Sequence, residues 1–312
     1  MKRGTKIAAA LGLGATALAG GAWYAYSEAF RADPRRTADP REIPAGSGYD
    51  ECREASLQNI DALMETPYER VSIRSRDGLK LRGKLYEDRE GAPVLLFFHG
   101  YRSTAERDGS GGFTLCQKNG WTALMADQRG HGESQGRTIS FGIQERWDVL
   151  DWIDWAVSRF GEETPIFLVG VSMGAATVLM ASALDLPPQV KGIWADCGYS
   201  SPEAVLRHTI RRRHLPEGLA WAFTRLGGRL FGGFDIKEAA PLEAVKEARV
   251  PILLIHGQAD TMVPHAMAQE LKDACAAPVT FLSVPRAPHG MSFYLDNAAY
   301  TLAVEKLVSD NL

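Results

Sequence analysis

The sequence predicts an α/β protein whose mostly parallel central sheet carries helices on both faces. Three observations lead there. Short, uninterrupted apolar runs recur from Val94 onward, helix-length segments separate most of them, and an alternating hairpin precedes the first. Strands that are apolar on both sides need cover on both sides, which helices above and below a parallel sheet provide. The 312 residues suffice for one large domain with an inserted lid.

The N-terminus is the first element. "MKRGTKIAAALGLGATALAGGAWYAY" sets Lys2, Arg3 and Lys6 before an uncharged run from Ile7 to Tyr26. As a helix that run would span about 30 Å, the thickness of a bilayer core. Trp23, Tyr24 and Tyr26 close it, where aromatic rings suit a membrane interface. Ala17-Leu18-Ala19 before Gly20 resembles a cleavage site, but the apolar run continues past it. Residues 1–30 therefore read as a signal anchor, with a cleaved signal peptide as the alternative. The expected location is a membrane-anchored chain with an extracytoplasmic catalytic domain, or a secreted one after cleavage. Arg31, Arg35, Arg36 and Arg41 follow closely and leave the orientation open.

Residues 31–48 are rich in Arg, Asp, Pro and Gly and read as a linker. The main domain, 49–312, opens with an amphipathic helix from Tyr49 to about Glu65. Two alternating runs about Asp77-Gly78 then form a hairpin, which adds antiparallel strands at one edge. Apolar strands follow at Val94–Phe98, Trp121–Ala126, Ile166–Val169, Val190–Ala195, Val250–Ile255 and Val279–Val284. Helices are expected at Gln144–Phe160, Gly174–Leu184 and His265–Cys275. The rhythm breaks between Cys197 and Ala248, where short helical pieces with Gly and Pro breaks suggest a lid at about 198–248.

Composition narrows the function classes. The net charge of −3 and the lack of a long basic run give no sign of nucleic-acid binding. Cys52, Cys116, Cys197 and Cys275 form no C-x-x-C pair or Cys/His cluster, so a structural zinc site is not expected and free thiols are. No metal or organic cofactor and no obligate protein partner is expected.

Chemistry gathers at the strand ends. Gly170-Val171-Ser172-Met173-Gly174 follows the strand "PIFLVG" and precedes a helix, the context that makes a G-x-S-x-G serine a nucleophile. The glycines allow a sharp turn, and the helix N-terminus favours a developing oxyanion. A serine hydroxyl needs a base, and His289 follows the last strand. Asp260 follows the strand before it and would fix the histidine tautomer. Asp196 also ends a strand and is the alternative acid, although Asp260 has the usual spacing to His289. His99-Gly100-Tyr101 follows "VLLFF", so the backbone N–H groups of Tyr101 and Met173 are the expected oxyanion donors.

Together "FFHGY", "DQRGHGES", "GVSMGA", "HGQADTMVP" and "PHG" resemble the α/β-hydrolase superfamily, in order from Val94 to the C-terminus. The branch most similar is that of bacterial membrane-anchored or secreted hydrolases akin to serine aminopeptidases and monoacylglycerol lipases. The resemblance implies a serine hydrolase with Ser172, Asp260 and His289 as its triad, and Arg129 and His131 as scaffold. A helical lid with Trp221, Phe223, Leu230 and Phe231 either lines an acyl pocket or packs on the domain. Arg211, Arg212 and Arg213, with His208 and His214, read as a solvated helix face. Ser200 and Ser201 lack an elbow. The expected reaction is hydrolysis of a small-molecule carboxylic ester, lipophilic in its acyl part, through an acyl-enzyme. A peptidase or acyltransferase with the same triad is the alternative, and a non-catalytic binding protein would be expected to have lost a triad member.

Overall fold

The computed structural model describes the backbone of residues 2–36 and 39–312 and the side chains of residues 16–35 and 39–312. Eight strands form one sheet: β1 (Glu69–Arg74), β2 (Lys80–Tyr86), β3 (Val94–Phe98), β4 (Thr122–Asp127), β5 (Ile166–Val171), β6 (Val190–Asp196), β7 (Ile252–Gly257) and β8 (Val279–Val284). Their order is β1-β2-β4-β3-β5-β6-β7-β8. The hairpin strands pair antiparallel with each other, and β2 pairs antiparallel with β4. From β4 to β8 every pairing is parallel.

The helices are α1 (Lys2–Ala29), α2 (Tyr49–Glu65), α3 (Ala105–Asn119), α4 (Glu145–Phe160), α5 (Met173–Ala181), α6 (Pro202–Arg212), α7 (Glu217–Gly227), α8 (Pro241–Ala244), α9 (Ala266–Ala274), α10 (Ser292–Leu295) and α11 (Asn297–Ser309). Alternation within the strands divides the core in two. Leu96, Phe98, Leu168 and Ile193 join Val149, Trp152 and Val178 on the α4–α5 face. Leu95, Phe97, Val169 and Trp194 join Phe113, Tyr300 and Val304 on the α3–α11 face. Both faces of β3 to β6 are thus dry, which is why those strands read as unbroken apolar runs. Helix α2 buries Cys52, Ser56, Ile60 and Leu63, one side at helical spacing, against α3.

Chain connection decides where a ligand can sit. β3 lies between β4 and β5, so the connections after β3 and β5 leave toward opposite faces and part over the carboxyl ends of the strands. Open α/β sheets bind ligands in that crevice.

The N-terminal expectation requires correction. Among the described residues no helix is long and apolar enough to cross a membrane, which removes the membrane anchor and the location built on it. The run is mostly alanine and glycine, whose small side chains gain little from leaving water. Its aromatic end is also committed to protein. Ala22, Tyr26 and Phe30, four residues apart, are buried against the helical segment that follows β6. Gly21 lies on the Phe223 ring and Gly227 on the Ala22 carbonyl, so α1 and α7 approach at glycine contacts. Trp23 meets Phe231 edge to face at 5.1 Å between centroids, and the Tyr26 hydroxyl lies 2.9 Å from Thr138 Oγ1. Lys2, Arg3, Lys6 and the apolar side chains through Ala15 lie outside the described residues.

A buried ion pair locks the hairpin to the domain. Arg129, 4% exposed, donates from Nε and Nη2 to the two oxygens of Asp148 at 2.6 Å each. Its Nη1 donates to Asp77 in the hairpin turn at 2.9 Å. Arg129→Ala would leave the Asp148 carboxylate buried without a counter-charge. We expect a loss of about 3–5 kcal/mol in urea unfolding, most of it recovered when Asp148→Leu is added. A loss below about 1 kcal/mol for the single change would contradict the assignment.

Candidate active site

Ser172 stands between β5 and α5 at φ 56° and ψ −114°, a backbone region that L-residues rarely occupy. Two close approaches hold it there. A Cβ on Gly170 would strike the Gly174 backbone, and one on Gly174 would strike the Phe98 carbonyl at the end of β3. Helix α5 is buried along its whole length, so the turn cannot relax toward solvent. The Ser172 N–H donates to the Asp196 carbonyl at 2.8 Å, which ties the turn to β6.

The structure brings Ser172, His289 and Asp260 together from three connections. His289 Nε2 lies 2.8 Å from Ser172 Oγ, and His289 Nδ1 lies 2.6 Å from Asp260 Oδ2. With Nδ1–H donating to the carboxylate, Nε2 is left as the acceptor for the serine proton. Asp260 is itself fixed: its Oδ1 accepts from Met262 N and Val263 N at 2.8 Å each, and its Oδ2 lies 3.2 Å from His256 Nε2. Asp196 does not touch His289. Its Oδ2 accepts from the Tyr300 hydroxyl at 2.8 Å.

Charge at the site follows from these contacts. Burial acts against an imidazolium at His289, but the Asp260 carboxylate outweighs it, helped by Asp108 and Asp196, and the pKa is raised above the ordinary 6.5. Burial alone would raise Asp260; the charge of His289 and hydrogen bonds from His256 and His289 hold it below the usual carboxylate range instead. Asp196, fully enclosed, is pushed up to about 6 by burial despite the Tyr300 bond.

Tyr101 lines the same cavity as Ser172, and Met173 follows Ser172 in the chain. Met173 is the first residue of α5, and the first N–H groups of a helix have no partner within it. The 99–103 loop carrying Tyr101 is pinned by a carboxylate. Asp108 on α3 accepts from Gly100 N at 2.6 Å and from Ser103 Oγ at 2.7 Å. Arg102, at φ 52°, donates its N–H to His131 Nε2 at 3.0 Å. His131 Nδ1 donates to the Arg129 carbonyl at 3.1 Å, and burial pushes its pKa down to about 3, so it stays a neutral acceptor. Arg129 and His131 thus act as scaffold, and His99 joins them, its Nε2 accepting from Gln128 N at 3.2 Å.

A cavity of about 270 Å³ opens at Ser172 and His289 and continues inward to Asp196, Phe293 and Tyr300. Trp221, Phe223, Leu230 and Phe231 do not line it. Trp221 is buried beneath Arg207, Phe223 packs on Gly21, and Phe231 on Trp23, so packing accounts for these three, while Leu230 is exposed. Arg211 pairs with Glu217 at 3.2 Å, while Arg212 and Arg213 face solvent. His208 bonds the Thr261 carbonyl at 2.9 Å, which ties α6 to the Asp260 loop. Ser201 caps α6 and Ser200 is buried.

Asp108 and Tyr49 went unread in the sequence. Asp108 sits in the first turn of a helix capped by Thr104, where acids are ordinary. Tyr49 starts α2, lines the cavity and donates its hydroxyl to the His289 carbonyl at 3.3 Å. Cys197 Sγ lies 3.9 Å from His289 Nε2, and with Asp260 these residues place ligand atoms within 4.8 Å of one another. Asp260 Oδ2 is taken by His289 Nδ1, His289 Nε2 faces Ser172 Oγ, and burial keeps the thiol protonated, which fits no metal ligand set. All four cysteines are free thiols.

Comparison with known proteins agrees with this architecture. The family described as alpha/beta hydrolase fold matches residues 93–226. Curated relatives include the Bacillus subtilis protein YqkD, 26% identical over 62% of this chain and 63% of its own length. Thiohydrolase aneE of Aspergillus aculeatus is 30% identical over 50% of this chain and 48% of its own. Lysophosphatidylserine lipase ABHD12 of Danio rerio is 27% identical over 59% and 47%. The chain thus spans less than two thirds of the length of each of these relatives. A solved esterase from Pyrococcus furiosus superposes with a TM-score of 0.67 at 22% identity, over 90% of this chain and 98% of that one. The fold and the family match over residues 93–226 support a place in the α/β-hydrolase superfamily.

The charge arrangement is open to direct measurement. Asp108→Asn keeps an acceptor for Gly100 N but removes a negative charge near His289, so the His289 pKa should fall. Titration of the His289 ring signals by NMR, wild type beside variant, checks the sign. An unchanged or raised value would refute it.

Proposed function

We propose that this chain is a serine hydrolase that cleaves carboxylic esters through an acyl-enzyme. The observation that carries the reading is the hydrogen-bond chain Ser172–His289–Asp260 at a strained strand-to-helix turn. His289 Nε2 takes the Ser172 proton as Oγ attacks the carbonyl carbon, and Asp260 stabilises the imidazolium. The N–H groups of Tyr101 and Met173 receive the oxyanion, the charge of greatest cost in a dry site. His289 then gives its proton to the leaving oxygen, and water repeats the sequence on the acyl-enzyme.

A lipophilic substrate is supported by the cavity walls, where Met262, Met291 and Phe293 present apolar surface close to Ser172. The relative named a lysophosphatidylserine lipase agrees with that choice. Thioester cleavage is the second reading, on the likeness to a thiohydrolase. We take residues of about 198–248 as a lid, because α6 is tied to the loop that carries Asp260.

Labelling with a fluorophosphonate tests the nucleophile. Wild type should label and Ser172→Ala should not; equal labelling of both, or of neither, would defeat the assignment. On p-nitrophenyl esters of graded chain length, Ser172→Ala should lose on the order of 10⁶-fold in kcat and Asp260→Asn about 10⁴-fold. Activity confined to aminoacyl amides would instead indicate a peptidase.

The pH profile tests the base. Only neutral His289 can accept the serine proton, so kcat/KM should fall as pH drops through a raised pKa. The midpoint of that limb belongs above 6.5, and a midpoint well below it would exclude His289 as the base.

A further inference from the structure

The inner end of the cavity holds a polar group that the reaction does not use. Asp196 is 3% exposed and lines the cavity that opens at Ser172. Its backbone is within one strand spacing of the nucleophile, because Val171 and Asp196 are register partners and the Ser172 N–H bonds the Asp196 carbonyl. Trp194 Nε1 donates to the Tyr300 hydroxyl at 3.1 Å, and that hydroxyl donates to Asp196 Oδ2 at 2.8 Å. The relay fixes the carboxylate. Oδ1 is buried and has no partner.

A buried acceptor without a donor costs about 1–3 kcal/mol, and a carboxylate oxygen costs more. Such a cost is recovered when a ligand brings the missing donor. The cavity of about 270 Å³ that Asp196 lines supplies the space; Gly111 and Gly112 on α3 line it too, packed so closely that a Cβ would strike the Phe293 ring or those of Phe97 and Trp194. The polar groups around the cavity set the kind of donor. Asp108 and Asp196 are matched by Arg102 and Arg107 in the same lining, so the cavity has no net excess of negative charge to select a cation. A neutral hydroxyl fits better than an ammonium group.

Resting on the esterase reading above, we propose that the inner end of the Ser172 cavity is a hydroxyl-recognising subsite. Asp196 Oδ1 accepts a hydrogen bond from a hydroxyl on the substrate, while Tyr300 holds the carboxylate in place. The substrate class is therefore a hydroxylated ester and not a plain hydrocarbon one. Asp196 is in this role a specificity residue, distinct from Asp260. Sites that hydrogen-bond a substrate hydroxyl discriminate strongly against the analogue that lacks it, since the protein acceptor is then left unpaired.

The test compares kcat/KM for ethyl hexanoate with ethyl 3-hydroxyhexanoate, ethyl 6-hydroxyhexanoate, 6-hydroxyhexyl acetate and ethyl 6-aminohexanoate, with hexyl acetate as the parent of the fourth. Wild type should favour at least one hydroxylated ester over its parent by tenfold or more. The third and fourth compounds tell whether the hydroxyl belongs to the acyl or the alcohol part. In Asp196→Leu that ratio should fall to within about threefold of unity. Tyr300→Phe, which frees the carboxylate but keeps the ring, should lower it in the same direction, and it serves if Asp196→Leu fails to fold. Fluorophosphonate labelling of Ser172 reports folding in each variant and tests the esterase reading separately. Labelling and ethyl hexanoate turnover without any hydroxyl preference would overturn the subsite alone. A preference that survives both substitutions would do so too, and a larger preference for the amino ester would replace hydroxyl by ammonium recognition.

Discussion

The site depends on one steric constraint, the passage of the chain from β5 into α5 beneath the end of β3. Gly174 lies so close to the Phe98 carbonyl that no side chain fits, and Gly170 lies as close to Gly174. The cost is a strained Ser172, and a fully buried α5 offsets it because no part of that helix can move toward water. The same crossing brings the 99–103 loop beside Ser172. A Cβ on Gly100 would press on both Ser172 and Asp108. Ser172, the 99–103 loop and the Asp108 carboxylate that pins it are thus parts of one packing arrangement.

Around that crossing the protein buries charge only where it can be neutralised or satisfied. Arg129 meets Asp148 in a two-point pair and reaches Asp77 in the hairpin turn, which couples the first strands to the loop under the site. His99 and His131 accept from backbone N–H groups on neighbouring loops at their Nε2 atoms. Asp260 receives two N–H bonds as well as His289. Each of these contacts fixes the orientation of a side chain or loop around Ser172. Asp196, which lines the cavity, differs: one oxygen is held by Tyr300 and the other is buried without a hydrogen-bond partner.

Much of the architecture was legible because buried parallel strands leave an unbroken apolar signature, and Val94–Phe98 and Ile166–Val171 illustrate it. The hairpin was legible from alternation about Asp77-Gly78, with Gly78 at φ 90° in the turn. The N-terminal segment misled for a physical reason. A helix of alanine and glycine with aromatic residues at one end looks alike whether its neighbour is lipid or protein. Tyr26 and Phe30 pack on protein, and only the glycine contacts between α1 and α7 reveal the partner. The aromatic residues of α7 and the following turn were ambiguous in the same way, and they too serve packing.

By itself, the sequence determined the layered α/β architecture and which polar residues follow which strands, since both depend on local pattern and chain order. Ser172, Asp260 and His289 could be singled out because each comes directly after an apolar run. The tertiary structure alone decided which carboxylate meets His289. Asp196 and Asp260 both end strands, and only three-dimensional register turns one to Tyr300 and the other to the imidazole. It also decided the shape of the cavity. Asp108, Tyr49 and Asp196 come from elements far apart in the chain, and their approach depends on how α2 and α3 pack over the sheet. No local pattern encodes that packing.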